Sequence, residues 1–385
     1  MNDFYISFKS VLSKPWYSLM SILLVATGTG IISLLFLIDN DLQKKFYGDI
    51  KGIQMVVGAK GSPLQLILSA VYQADNPTGN IKASEVKPFT RHPLVKKAIP
   101  LAYGDSYQGT RIVGTDTSYL NLYDVQIAEG RLFNEEMEVV VGSQAAKKHN
   151  LTVGSKINSQ HGQAMEAEQH QHPFKVKGIL KPTGTVVDRL IITPYQSLWE
   201  VHDIEGEGDF TAYLLQFKNP MGQLMLSKMI NNNTSMQAAL PSIEIDRLMT
   251  LLGTGYDTLK ILAYGIMALS GFAVFITLFT SLDQKKYDLS VMRVLGYSKA
   301  RVLFQVIVES CILCLAGILI GLILSRLIMY FISYIKESAW LTGSMFDTRE
   351  LILLPLVILL GIVAALIPAY KLYKTDIAQV LSDEK

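Results

Sequence analysis

Five side chains able to bind a transition metal crowd into one short polar stretch: His161, Glu166, Glu168, His170 and His172. Imidazole nitrogens and carboxylate oxygens are ligands that zinc and copper accept. His170 and His172 share one face if the backbone there is extended. The stretch is also rich in glutamine and lacks an apolar period, so it reads equally as a polar surface insertion, in which ligands without a rigid frame make a poor structural site. Contact with Zn or Cu is one expectation and a solvated loop is the other.

Other chemistry is sparse. The chain has no G-x-x-x-x-G-K-[ST] and no Gly-Lys pair, which excludes nucleotide binding in the P-loop manner. It has neither G-x-S-x-G nor H-E-x-x-H. Cys311 and Cys314 are the only cysteines; both fall in an apolar run without further ligands nearby and read as packing residues. A net charge of +2 argues against a nucleic-acid partner, which would need a clustered basic surface.

Half of the residues are hydrophobic and 18% are charged, a balance that points to a membrane protein. Four runs, 17–38, 258–282, 302–325 and 351–370, have the roughly 20 apolar residues that a spanning helix needs. Lys9 and Lys14 precede the first run; Lys285, Lys286, Arg293, Lys299 and Arg301 lie between the second and third; Lys371 and Lys374 follow the fourth. The positive-inside rule therefore puts both termini in the cytoplasm, and the short loop 326–350 outside. Residues 1–16, with Phe4, Phe8, Val11 and Leu12 in a helical stripe, read as an amphipathic helix on the inner surface, or as an extended start to the first span.

The large segment 39–257 alternates short strands and helices without a regular βαβ repeat, which predicts α+β. Strand-like runs occur at 53–57, 111–113, 139–141, 174–180, 189–193 and 212–217, with helices at 63–72, 144–148 and 222–231. From 243 to 282 the sequence is helical with only Gly253 and Gly255 as breaks, so a stalk should lead into the second span, matched by one at 39–49. The predicted class is thus a membrane α-helical protein with four transmembrane helices and a large α+β extracytoplasmic domain between helices 1 and 2.

Residues 283–301 form a charged interruption between two apolar runs, predicted as a short cytoplasmic coupling helix. Leu289, Met292 and Leu295 recur near one helical face, Gly296 stands where a left-handed cap ends a helix, and Ser298 can cap the next. A cytosolic partner's groove and a solvated loop both suit such a segment. Within the spans, Gly317 and Gly321 form GxxxG and Gly361 with Ala365 repeats the small spacing, which permits close packing in a dimer or inside one bundle. Glu309 lies within the third run and reads as a locally satisfied carboxylate.

Three motifs resemble the FtsX-like permeases, the MacB-type or type VII ABC transporter subunits. FKSVLSKPWYSLMSILLVATGTG is similar to the family's opening, a basic surface helix leading into a span rich in small residues. QKKYDLSVMRVLGYS is similar to its coupling region, with Arg293, Leu295, Gly296, Tyr297 and Ser298 in order. IPAYKLYKTDIAQVLSDEK resembles its ending through Pro368, Ala369 and Leu381, departing at Leu372 and Ile377. The tail is 371–385.

The resemblance implies a non-catalytic permease in the bacterial cytoplasmic (inner) membrane. Lys286, Leu289, Met292, Arg293, Leu295, Gly296 and Tyr297 would contact a separate cytosolic P-loop ATPase that holds ATP and Mg. It also implies a second permease in a homo- or heterodimer, lipid around the spans, a periplasmic or lipoprotein partner in some members, and motion of the outer domain for export, extraction or signalling. No cofactor is implied on this chain itself. A different class, an extracytoplasmic metal-handling or sensing protein using 161–172, is the alternative.

Overall fold

The computed structural model describes residues 3–13, 15–162, 169–204, 206, 208–294, 296–336 and 346–374. The chain opens with α1 (Asp3–Leu12) and the long α2 (Pro15–Ile50), whose proline occupies a first-turn position where its missing N–H costs nothing. Strand β1 (Met55–Ala59) precedes α3 (Pro63–Ala70), capped by the Ser62 hydroxyl, and α4 (Ala83–Thr90). Next come β2 (Val95–Leu101), β3 (Asp105–Tyr107), β4 (Thr110–Thr115) and α5 (Thr117–Leu122), capped by Asp116. Strands β5 (Ile127–Gly130) and β6 (Glu138–Val141) lead to α6 (Ser143–His149). Then follow β7 (Lys156–His161), β8 (Gln169–Leu180), β9 (Ile191–Pro194) and α7 (Tyr195–Val201). After β10 (Ala212–Phe217), α8 (Pro220–Asn233) and β11 (Met236–Ala239), the chain ends in α9 (Pro241–Val294), α10 (Lys299–Lys336) and α11 (Leu353–Lys374).

Two compact units result: Lys45–Thr250, and Met1–Lys44 with Leu251–Lys385. The first is α+β. One sheet runs β11-β1-β10-β2, antiparallel throughout. The other runs β5-β8-β6-β9-β4-β3-β7 and is mixed, with β4–β9 and β6–β8 parallel. Because β7 also pairs with β8, the second sheet closes on itself. Closure leaves fewer free strand edges. Ile112, Val139, Ile157, Phe174 and Ile191 are fully or almost fully buried in its core, while Met55, Leu215, Leu226 and Ile230 fill the core under the smaller sheet.

The end of α2 is embedded in the α+β unit. Lys45 donates to Gly184 O at 3.0 Å, Asp49 accepts from Val186 N–H at 3.0 Å, and Tyr72 donates to Phe46 O at 2.7 Å. The first turns of α9 share this unit: Tyr47 donates to Asp246 at 2.6 Å, and Ile245 is fully buried.

The second unit is helical. Among the described residues, four helical segments, Pro15–Ile50, Pro241–Ser281, Leu303–Ile332 and Thr348–Tyr370, are long and apolar enough to cross a membrane. Leu259, Ile261, Leu319, Ile323, Leu359 and Ile367 are exposed on them, an arrangement that suits lipid. The small residues seat these helices on one another. A Cβ at Gly321 would lie 2.1 Å from Thr29 Oγ1, one at Gly317 2.5 Å from Val25 Cβ, and one at Gly361 2.6 Å from Cys314 Sγ. Ser21 and Thr277 join α2 to α9 at 2.6 Å, and Ser310 donates to Gly361 O at 2.7 Å. Glu309 accepts from Ser281 at 3.3 Å.

Several boundaries differ from the sequence expectations. No separate coupling helix begins at 283: α9 runs unbroken from Pro241 to Val294, because nothing between 256 and 294 other than Gly265 and Gly271 weakens the helical ladder, and neither interrupts it. The loop expected at 326–350 is in part helix, since α10 continues to Lys336 on Leu327, Ile328, Tyr330 and Phe331. Residues 346–347 and the 3-10 turn Thr348–Ile352 lead into α11. The segment 161–172 is not simply an insertion, because His161 ends β7, and His170 and His172 belong to β8. Backbone pairing to a neighbouring strand supplied the order that side-chain periodicity did not reveal.

Candidate functional site

Strand β3 sets the carboxylate of Asp105 at the centre of a group of imidazoles. Its side chain is fully buried, and its partners come from three other segments. Asp105 pairs with His161 across the β3–β7 ladder, which brings His161 Nδ1 to 3.9 Å from Oδ1. His170 enters from β8, its Nε2 at 3.6 Å from Oδ2. His202 caps the C-terminus of α7 and brings Nε2 to 3.1 Å from Oδ1. Ser159, on β7, donates to Oδ2 at 2.8 Å. The three rings pack with centroids 4.4, 4.8 and 4.9 Å apart.

Electrostatics follow from burial and from these bonds. Burial opposes the charge on Asp105, yet the bonds from His202 and Ser159 outweigh it and hold the carboxyl below its ordinary range. The same bond raises the pKa of His202, while burial lowers that of His170. His170 Nε2 is enclosed and has no hydrogen-bond partner. One ligand atom from each of Asp105, His161, His170 and His202 can be chosen so that all four lie within 4.8 Å of one another.

The grouping differs from the one expected along the chain. His161 and His170 belong to it, but His172 is exposed and lies outside. Asn158 pairs with Pro173 and Gln160 with Gln169, so an irregularity in β8 spans His170 and His172 and breaks the simple two-residue alternation. Glu166 and Glu168 lie outside the described residues. Asp105 and His202 were missed, and nothing in their local sequence marks them; only the sheet and the end of α7 unite them.

The second set of expected site residues lies where α9 ends and α10 begins. Lys286, Leu289, Met292 and Arg293 occupy the last turns of α9, and Leu295 lies outside the described residues. Gly296 has φ +99°, with nothing within 4 Å of an added Cβ. Arg301 stacks its guanidinium on the Tyr297 ring at 4.6 Å, and Ser298 accepts from Arg301 N–H at 3.3 Å, opening α10.

Comparison with known families gives two matches that together span most of the chain. Residues 18–243 match the MacB-like periplasmic core domain, and residues 260–377 match the FtsX-like permease C-terminal domain. A macrolide export ATP-binding/permease protein MacB of Neisseria meningitidis is 20% identical over 84% of this chain and 52% of its own length. The MacB of Mannheimia succiniciproducens is 19% identical over 100% of this chain and 61% of its own length. The chain thus spans about half the length of the curated relatives it matches. Among solved structures, the periplasmic region of MacB from Actinobacillus actinomycetemcomitans aligns with TM-score 0.37 and 13% identity, covering 53% of this chain and 97% of that one. The extracellular domain of the ABC-type transporter YknZ from Gram-positive bacteria aligns with TM-score 0.33 and 14% identity, covering 48% and 98%.

Proposed function

From the premise that this chain belongs to the FtsX/MacB-type family of ABC transporter permeases, we propose that it transmits the ATP-driven motion of a separate cytosolic ATPase to its α+β domain, outside the membrane. The observation that carries this reading is the continuity of α9. Its first turns are part of the α+β unit, and its last turns hold Lys286, Leu289, Met292 and Arg293. At 1.5 Å per residue its 54 residues extend about 80 Å, more than twice the roughly 30 Å of bilayer hydrocarbon. Displacement at its last turns then has a continuous hydrogen-bonded backbone along which to reach its first turns. α2 offers a second route, because its C-terminal turns are hydrogen-bonded into the same unit.

The ATPase contact is assigned to Lys286, Leu289, Met292, Arg293, Leu295, Gly296 and Tyr297. The left-handed turn at Gly296 aims the end of α9 and the start of α10. A second permease completes the assembly, and both termini are cytoplasmic. The cargo is exported, extracted or sensed outside. Family membership favours this reading over a dedicated metal-handling protein.

Affinity capture of the full chain from membranes tests it. A co-purifying chain with a P-loop should hydrolyse ATP at a rate that the permease changes, and Arg293→Glu should weaken capture at least tenfold. A stable complex whose ATP turnover is the same with Arg293→Glu, Gly296→Val and the unaltered chain would sink the proposal.

A further inference from the structure

We propose that Asp105, His161, His170 and His202 form a binding site for one divalent transition-metal ion of the zinc class. The inference lies within the α+β unit and does not depend on the ATPase reading. Three imidazoles and one carboxylate suit zinc, copper or nickel, whereas calcium and magnesium prefer oxygen alone. Four ligand atoms within 4.8 Å of one another need to close by up to about 1.5 Å to reach the roughly 3.3–3.5 Å spacing of a tetrahedral zinc site. Side-chain rotation covers that distance without moving the strands.

Three observations favour a cation over a plain hydrogen-bonded cluster. His170 Nε2 is enclosed without a partner, 3.6 Å from the carboxylate, and a bound ion satisfies that nitrogen. Ser159 holds Oδ2 and leaves Oδ1 facing His161 and His202, the outer-shell bond that orients a ligating carboxylate. A single carboxylate faces three rings with centroids less than 5 Å apart, so one ion placed among them can be shared by three imidazoles and the carboxylate.

The frame is rigid where it needs to be. Asp105 and His161 are paired across the β3–β7 ladder, and the adjacent backbone is tied by Gly162 N–H to Gly104 O at 2.8 Å. β8 brings His170, and the end of α7 brings His202. His161, with its side chain 60% exposed, gives the ion an entry side.

The test uses the full chain in detergent micelles, carrying a non-histidine purification tag and freed of metal by a chelator. Titration with zinc chloride should give one saturable site per chain with Kd below about 1 µM, against no saturable binding of calcium or magnesium. Cobalt(II) should give the intense visible absorption of a four-coordinate site. Asp105→Asn, His170→Ala and His202→Ala should each weaken zinc at least tenfold, and His172→Ala should leave it unchanged. Because a ligand variant can misfold, His202→Gln is compared by near-ultraviolet circular dichroism; it should keep the native spectrum and lose the cobalt absorption. Absence of saturable zinc binding, equal affinity in His170→Ala and the unaltered chain, or affinity lost only in His172→Ala overturns the site.

Discussion

Arg326 and Glu350 form an ion pair inside the helical unit, and Ser33 of α2 donates to the other oxygen of the same carboxylate at 2.5 Å. Arg326 also donates to Ser33 at 2.7 Å and to Ser325 at 2.8 Å. With the Glu350 side chain only 3% exposed, this polar knot ties α2, α10 and the turn before α11 where neighbouring surfaces are apolar.

Removing one member leaves the other charge without its counterion. Glu350→Ala should therefore destabilise the full chain by about 3–5 kcal/mol, read as a lower melting temperature in detergent, and Arg326→Met in the same chain should recover much of the loss. Equal melting of Glu350→Ala and the unaltered chain would show that water or lipid headgroups satisfy Arg326 instead.

Gly321 sits against α2 with no room for a side chain. Gly321→Ala brings a methyl toward Thr29 Oγ1, at 2.1 Å, and Ala26 O, at 2.6 Å, so α2 and α10 must part. A cost of about 1–3 kcal/mol follows from overpacking. Gly265→Ala is the control, since nothing lies within 4 Å of its added Cβ. Comparable melting temperatures for the two variants would contradict the packing.

Glu138 gives the α+β unit an acid-sensitive tie. Burial opposes its charge, but Arg131, Lys177 and the Asn134 and Glu135 N–H groups outweigh burial and hold its pKa at about 2. A depressed carboxyl contributes stability above its unfolded pKa, near 4.3, and loses it as pH falls toward 2. Glu138→Gln should thus lower the melting temperature at pH 6, with a gap that narrows below pH 4. A gap that stays constant from pH 6 to pH 3 would rule this out.

The length of α9 leads to a prediction about transmission. Gly253→Pro removes a backbone donor and costs the helix about 3 kcal/mol locally. On the transmission proposed above, it should leave capture of a partner ATPase intact while abolishing the change in ATP turnover that the unaltered chain causes. Loss of capture itself would mean that the break reaches the coupling segment.

What the sequence determined was whatever depends on near neighbours. Apolar runs long enough to span a bilayer, the cap at Gly296, the opening of α10 at Ser298 and strands such as β6 and β10 all follow from local composition and period. Local signals also misplaced boundaries. A burst of charge after 282 does not end a helix that lacks a breaker, and glutamine-rich sequence pairs as strand once a partner strand supplies its hydrogen bonds. Only the tertiary structure decided which histidines meet. Asp105 and His202 are 97 positions apart, joined by the closure of a mixed sheet and the end of α7. His172, two residues from His170, is turned away by an irregular pairing. Contacts between distant residues depend on strand order and register, set by the packing of the whole core, and no stretch of chain carries them alone.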